Sequence, residues 1–145
     1  MIDPVYYQTW FTVVDQAKNK YGWHIPLYVE QYLSVVLANY TDKPDWQPDP
    51  SWAESLLSIQ SAAAAKVLGD QALFAAAVFP TFLEYKGLTE KYFYDIGSIS
   101  YKRASTINYA LFETLSENFE FLSQCLRRAV HDNNQLQYIN KSSSS

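Results

Sequence analysis

The chain has 145 residues, of which 48% are hydrophobic, 17% aromatic and 18% charged, a balance typical of a folded domain and not of a disordered chain. Its formal net charge of -4 speaks against nucleic acid as a partner, because binding a phosphate backbone requires a basic face. The single cysteine, Cys125, excludes an internal disulfide, and neither a signal peptide nor an apolar run of roughly 18 residues is present. We therefore expect a cytoplasmic protein that does not enter a membrane.

The first two helices have clear boundaries in the sequence. Asp3 and Pro4 favour a helix start, since Asp caps free N–H groups and Pro is tolerated in the first turn, and Gly22 favours its end. Pro26 opens a second helix with one apolar stripe. Three of its polar residues are expected to face solvent: Glu30, Gln31 and Ser34.

Residues 41–50 contain three prolines and three aspartates, which predicts a surface loop. Trp46 lies in the middle of this loop. It either anchors the loop to the body of the protein or forms the rim of a binding surface, where tryptophan is enriched.

The middle of the chain predicts a buried helix. A helix is expected from Ser51 to Leu68 and is ended by Gly69, with Asp70 as the cap of the next one. Residues 73–79 are apolar on all sides, so the short helix 70–80 that contains them has to be surrounded by others and is the expected centre of the domain. Pro80 kinks or ends it.

The segment from Glu90 to Thr106 is predicted to form a helix capped by Thr89. Its residues fall into three rows of different character. The rows are Tyr92, Ile96, Ile99 and Arg103; the mostly small Phe93, Gly97, Ser100 and Ala104; and the polar, aromatic Tyr94, Ser98, Tyr101 and Ser105. The small row would let another helix approach closely, and the third row is where we expect function.

The last helix is predicted over residues 112–131 from an apolar stripe opposite a regular polar row. Residues 132–145 lack that pattern and end in four serines, so we expect a flexible polar tail after a single domain, 1–131. No strand pattern occurs in the sequence. The predicted fold is an all-α, single-domain bundle of about six helices around the central helix 70–80.

No set of residues matches a catalytic, cofactor or metal site. The histidines, His24 and His131, lie far apart, no Glu-x-x-His pair occurs, and the glycines form no phosphate-binding loop. Cys125 adjoins the apolar stripe of the last helix and is expected to pack as a small hydrophobe. An enzyme would need Asp95 or Glu84 as a general base, and neither has a partner at a diagnostic spacing, so we expect no enzyme.

The candidate binding surface is aromatic, with five members: Tyr92, Tyr94, Asp95, Tyr101 and Trp46. The chain has 12 tyrosines, more than a core of this size readily hides, and tyrosine and tryptophan are common anchors of protein interfaces. Asp95 is either a solubilising charge next to Lys91 or a buried group bonded by tyrosine hydroxyls.

One stretch resembles a family of short proteobacterial proteins with no assigned activity, cofactor or substrate. The residues that carry the resemblance lie between Pro26 and Arg127 and include Tyr32-Leu33, Leu37, Gly69-Asp70, Leu73-Phe74, Phe79-Pro80, Tyr92, Gly97 and Ser100-Tyr101. Residues 81–84 depart from the family pattern, where a more basic segment is usual. The resemblance implies a bacterial cytoplasmic helical protein and adds no mechanism.

Together these patterns predict a non-enzymatic module that binds another protein, or a second copy of itself, through the tyrosine-rich surface. The alternative is a binder of a small apolar or aromatic ligand in a pocket between the central helix and the Glu90–Thr106 helix, with polar contacts from Tyr92, Asp95 and Tyr101. The identity of a partner or ligand does not follow from the sequence.

Overall fold

The computed structural model describes residues 3–49, 51–85 and 87–144, without the side chains at 82, 83, 85 and 135–144. Its helices are α1 (Pro4–Tyr21), α2 (Leu27–Thr41), α3 (Trp52–Ser58), α4 (Ala62–Val78), α5 (Pro80–Tyr85), α6 (Glu90–Arg103), a short 3-10 turn (Ala104–Thr106), α7 (Tyr109–Glu117) and α8 (Phe119–Ser144). No strand occurs within these ranges. The predicted all-α fold is confirmed.

Helix α1 begins and ends where local chemistry predicts. The Asp3 carboxylate accepts a hydrogen bond from the backbone N–H of Val5 at 2.8 Å, and Pro4 is the first helical residue. At the other end Gly22 has φ of 69°, and its N–H bonds to the carbonyl of Lys18. A left-handed residue at this position is the usual role of a C-terminal glycine.

The single helix predicted from Ser51 to Leu68 is wrong. Helix α3 ends at Ser58, and Ile59 is extended, with ψ of 129°. The hydroxyl of Ser61 then accepts a hydrogen bond from the N–H of Ala64 at 3.1 Å and starts α4. The N-cap serine competes with helix continuation at this point, because its side chain satisfies a free N–H only when its own backbone is extended.

Helix α4 runs through Gly69 and Asp70, so the predicted helix end and N-cap at these residues are wrong. Gly69 instead permits close packing, since a Cβ atom there would lie 2.7 Å from the ring of Tyr101. The predicted central helix 70–80 is the buried second half of α4, which ends at Val78 before Pro80. Helix α4 contacts α2, α3, α5, α6 and α8, which confirms its central place in the bundle.

Helix α6 follows its prediction closely. The Thr89 hydroxyl accepts a hydrogen bond from the N–H of Tyr92 at 3.2 Å, and the helix passes into the 3-10 turn that ends at Thr106. The row of small residues is used as expected, because a Cβ atom at Gly97 would overlap the ring of Phe119 on α8. Close contact between α6 and the start of α8 therefore depends on a glycine.

The helix predicted over 112–131 is divided at Asn118 into α7 and α8. The side-chain amide of Asn118 donates a hydrogen bond to the carbonyl of Thr114 at 2.9 Å, where its own backbone N–H also bonds, at 3.1 Å. Asparagine breaks helices by this local competition. Helix α8 continues through residues 132–144, the segment expected to form a tail; the flexibility of that segment stays a prediction.

Within the described residues, no helix combines the length and the apolar character that a membrane crossing requires.

We expect Gly97→Ala to lower the free energy of unfolding by about 2 kcal/mol, because the added methyl group overpacks the contact with Phe119. Alanine is the better helix former by about 1 kcal/mol, so the sign of the change separates packing from propensity. Urea denaturation measures it. The control is Ala63→Gly on the exposed side of α4, which should lose about 1 kcal/mol through propensity alone. A Gly97→Ala variant more stable than the parent would contradict the close packing.

Candidate functional site

Two members of the predicted tyrosine surface lie in the core. Tyr94 and Tyr101 are only 8% and 0% exposed, respectively. The Tyr94 ring packs edge-on against Phe93 at a centroid distance of 5.1 Å, and the Tyr101 ring lies 5.7 Å from that of Phe112. The expectation that these tyrosines form an exposed binding surface is wrong, because α4, α7 and α8 cover that side of α6.

Tyr92 and Asp95 lie on other sides of α6. Tyr92 is half-buried, and its hydroxyl oxygen accepts a hydrogen bond from the N–H of Ala53 at 3.1 Å, which holds the start of α3 against α6. The Asp95 side chain is 54% exposed and pairs with Lys91 at 2.6 Å. Of the two interpretations of Asp95, the solvent-exposed charge is therefore the one that the structure supports.

Trp46 anchors its loop. The indole is half-buried against three aromatic rings, with centroid distances of 4.9 Å to Tyr40, 5.6 Å to Phe74 and 6.0 Å to Phe79. Edge and tilted ring contacts of this kind hold the loop against α2 and α4. The five predicted residues thus do not share one exposed surface.

The chemically most unusual cluster is centred on Asp70. This residue is 6% exposed, and its Oδ1 accepts hydrogen bonds from the hydroxyls of Tyr32 on α2 at 2.5 Å and Tyr101 on α6 at 2.7 Å. Its Oδ2 accepts from the amine of Lys66, one turn earlier on α4, at 3.3 Å. One carboxyl group therefore connects three helices.

The electrostatics of the cluster favour the protonated forms of Asp70, Tyr32 and Tyr101. Burial raises the pKa of Asp70, against the opposing effects of Lys66 and of the two hydroxyl donors. Burial, together with the charge of Asp70, also raises the pKa of Tyr32 and of Tyr101. The two tyrosines consequently remain protonated donors. This arrangement suits a structural connection and does not provide an activated nucleophile.

The space predicted for a small-molecule pocket is occupied. Helices α4 and α6 approach each other closely, and the ring of Tyr101 fills the gap above Gly69. The hydroxyl of Tyr101 is already bonded to Asp70. The polar contact assigned to Tyr101 in the ligand-binding alternative is therefore used within the protein.

A second buried carboxylate was not recognised in the sequence. Glu30 is 0% exposed and its Oε2 lies 2.6 Å from the amine of Lys18 on α1. Of the three residues of α2 expected to face solvent, Glu30 and Ser34 are buried and Gln31 is exposed as predicted. Burial raises the pKa of Glu30, and the hydrogen bond to Glu30 raises the pKa of Lys18. The sequence signal for this ion pair is Lys18, a basic residue near the end of α1. The spacing of residues along the chain does not show that its partner is Glu30 on α2.

An open groove lies where α3 passes into α4. It has a volume of about 440 Å³ and is lined by Leu57, Ile59, Gln60, Ser61, Ala62 and Arg103. Leu57, one of the lining residues, is 86% exposed, the highest value among the large apolar residues whose side chains the structure describes. Arg103 is held in place by a hydrogen bond of 2.8 Å from its Nη1 to the carbonyl of Leu56. We call this surface, residues 57–62 with Arg103, the α3–α4 corner.

Potential metal ligands do not converge: among the described residues, no group of three or more His, Cys, Asp or Glu side chains could hold an ion. Cys125 is buried, and burial raises the pKa of its thiol to about 12. A thiol of this kind stays protonated at neutral pH and packs as a hydrophobe.

Comparison with protein families, with curated proteins and with solved structures finds no match to this chain. Membership of the family that the sequence resembles therefore stays a prediction.

We expect Asp70→Leu to lower the free energy of unfolding by about 4 kcal/mol, because the buried hydroxyls of Tyr32 and Tyr101 both lose their acceptor. Asp70→Asn keeps a carbonyl oxygen for them and should cost about 1 kcal/mol. Urea denaturation of both variants tests this difference. Asp95→Asn, at an exposed ion pair, is the control and should change stability by less than about 1 kcal/mol. Equal losses for the Leu and Asn variants would show that the carbonyl acceptor is unimportant.

The Asp70 carboxyl should also make stability depend on pH. Its pKa lies above the ordinary 3.8, so the folded state binds this proton more tightly than the unfolded state. The resulting stabilisation is complete below pH 3.8 and is lost as the pH rises through the folded-state pKa.

We therefore expect the parent protein to lose stability relative to Asp70→Asn as the pH rises above 3.8 and through the folded-state pKa of Asp70. Urea denaturation of both proteins over a pH series measures the difference, in which other titrating groups cancel. A parent protein that gains on the Asn variant with rising pH would mean that the carboxylate is the favoured form.

Proposed function

We propose that this chain is a non-enzymatic helical module that binds protein through the α3–α4 corner, and that its partner there is a second copy of the chain. The observation that carries the proposal is Leu57, an aliphatic side chain 86% exposed at the edge of an open groove. The tyrosine row no longer supplies the surface, because Tyr94 and Tyr101 are in the core. The interaction therefore depends on aliphatic contacts.

The composition of the corner supports an interface. Residues 55–65 carry no charged side chain, although they include several exposed positions at the end of α3 and the start of α4. The centres of protein interfaces are depleted of charge in the same way. Burial of this leucine by a partner would make association more favourable by roughly 25 cal/mol per Å² of apolar surface removed from water.

The shape and charge of the corner favour self-association. Leu57 projects beside the groove, so two copies related by a two-fold axis can each place this leucine in the groove of the other. Glu54 lies one turn before Leu57 on the same side of α3 and is exposed. Among the described residues, neither Glu54 nor Arg103 has an ion-pair partner within the chain, and across a two-fold axis they complement each other.

The chemistry of the buried groups supports a role without catalysis. The carboxylates of Asp70 and Glu30 are engaged by lysine and tyrosine side chains of the same chain, and Asp95 pairs with Lys91 at the surface. A general base needs access to a substrate proton. We propose the cytoplasm as the location, which suits a protein whose one thiol is free and buried.

We expect Leu57→Glu to weaken self-association by at least about tenfold, because the variant replaces the apolar contact of the leucine with a charge that has to be removed from water. Sedimentation equilibrium over a concentration series measures this. The matched control is Val5→Glu, at an apolar residue 67% exposed on α1, which should associate like the parent. A parent protein that stays monomeric at every concentration would overturn the second copy as partner.

A charge exchange identifies the geometry. Glu54→Arg alone should weaken association, because it brings two cations together, and the double variant Glu54→Arg with Arg103→Glu should restore it. Thermal unfolding of each variant establishes that the monomer remains folded. If Leu57→Glu weakens association and the double variant does not restore it, the corner is the interface but the two-fold arrangement is wrong.

A further inference from the structure

The pairing of α6 with α7 and α8 has a defined antiparallel register. Ser98 on α6 exchanges hydrogen bonds with Ser116 at the end of α7. The Ser98 hydroxyl donates to the carbonyl of Ser116 at 2.8 Å, and the Ser116 hydroxyl donates to the carbonyl of Ser98 at 2.7 Å. Gly97 meets the ring of Phe119 at the start of α8. At the other end of α6, Glu90 lies 3.4 Å from Arg127. Advancing along α8 therefore corresponds to moving back along α6.

Three buried polar atoms on α6 and α8 have no hydrogen-bond partner among the described residues: the Tyr94 hydroxyl, the Ser123 hydroxyl and Nη2 of Arg127. Ser123 is 0% exposed and Tyr94 is 8% exposed. A polar group is rarely left in this condition in a folded protein, since burial removes the water that satisfied it.

The register brings these three groups to the same part of the interface. Ser123 lies one helical turn after Phe119 and one turn before Arg127, on the side of α8 that meets α6. Tyr94 lies one turn after Glu90 and one turn before Ser98, on the facing side of α6. Since Glu90 pairs with Arg127 and Gly97 with Phe119, Tyr94 is level with Ser123.

We infer that the α6–α8 interface contains a binding site for one internal water molecule, held by the Tyr94 hydroxyl, the Ser123 hydroxyl and Nη2 of Arg127. A buried water typically makes about three hydrogen bonds to polar groups that the protein leaves unsatisfied. The guanidinium can only donate, and each hydroxyl can donate or accept, so a water molecule can satisfy all three groups at once.

The charges around the site favour a neutral ligand over an anion. The guanidinium of Arg127 already donates through Nη1 to the Glu90 carboxylate at 3.4 Å and through Nε to the carbonyl of Ala76 at 3.1 Å. Its charge is thus compensated by Glu90. A second anion at Nη2 would be buried close to that carboxylate, and a buried charge needs a countercharge of its own.

A crystal structure that resolves ordered waters tests the inference directly. We expect one water peak within about 2.7–3.2 Å of all three atoms. A direct hydrogen bond between Tyr94 and Ser123, with no peak between them, would overturn the site. An anomalous peak at this position in a crystal soaked in bromide would overturn the assignment to water in favour of a small anion.

Solution measurements on the folded protein give an independent result. Tyr94→Phe and Ser123→Ala should each raise the unfolding equilibrium constant by about tenfold, and the double variant should raise it by less than the product, because the groups share one ligand. Tyr109→Phe, at a tyrosine 70% exposed, is the control and should leave the constant unchanged. Strict additivity of the two changes would mean that no shared water connects them.

Discussion

The bundle depends on the hydrogen bonds that converge on one carboxyl group. Asp70 in the middle of α4 accepts from Tyr32 on α2 and from Tyr101 on α6, and its position is possible only because Gly69 leaves room for the Tyr101 ring. Removing a carboxyl from water is unfavourable unless several donors replace the solvent. The cluster therefore fixes the relative positions of three helices, since a shift of any one of them leaves a buried polar group unpaired.

The same constraint explains which parts of the fold could be predicted from the sequence. The ends of α1, the cap at Thr89 and the break before Pro80 depend on residues within one or two turns of each other, and all were predicted correctly. The all-α class was also predicted, because it follows from the spacing of apolar residues along each segment. Local chemistry is sufficient for features of this kind.

The features that were missed depend on partners far away in the chain. Asp70 after Gly69 has the local pattern of a helix cap, but Tyr32 and Tyr101 lie 38 and 31 residues from it, and their hydroxyls are what make its burial tolerable. Glu30 was expected in solvent for the same reason, because its partner Lys18 belongs to another helix. For the candidate site, the sequence correctly indicated that the small row of the Glu90–Thr106 segment lets another helix approach closely, but it could not indicate that α4, α7 and α8 would cover the tyrosine row as well.

The number of tyrosines was the main reason to expect an aromatic interface, and the structure changes what that number means. Tyr32, Tyr92 and Tyr101 each use the hydroxyl to satisfy a group on another helix, a role that phenylalanine cannot fill. The buried carboxyl of Asp70 needs Tyr32 and Tyr101 as donors, and the N–H of Ala53 needs Tyr92 as acceptor, so these three tyrosines meet requirements of the interior. Evidence for an interface then has to come from apolar side chains that the fold leaves in water. Within the described part of the chain, Leu57 is the most exposed of these. It lines an open groove and belongs to a segment without charged side chains, which is why the proposed surface is the α3–α4 corner and not the tyrosine row.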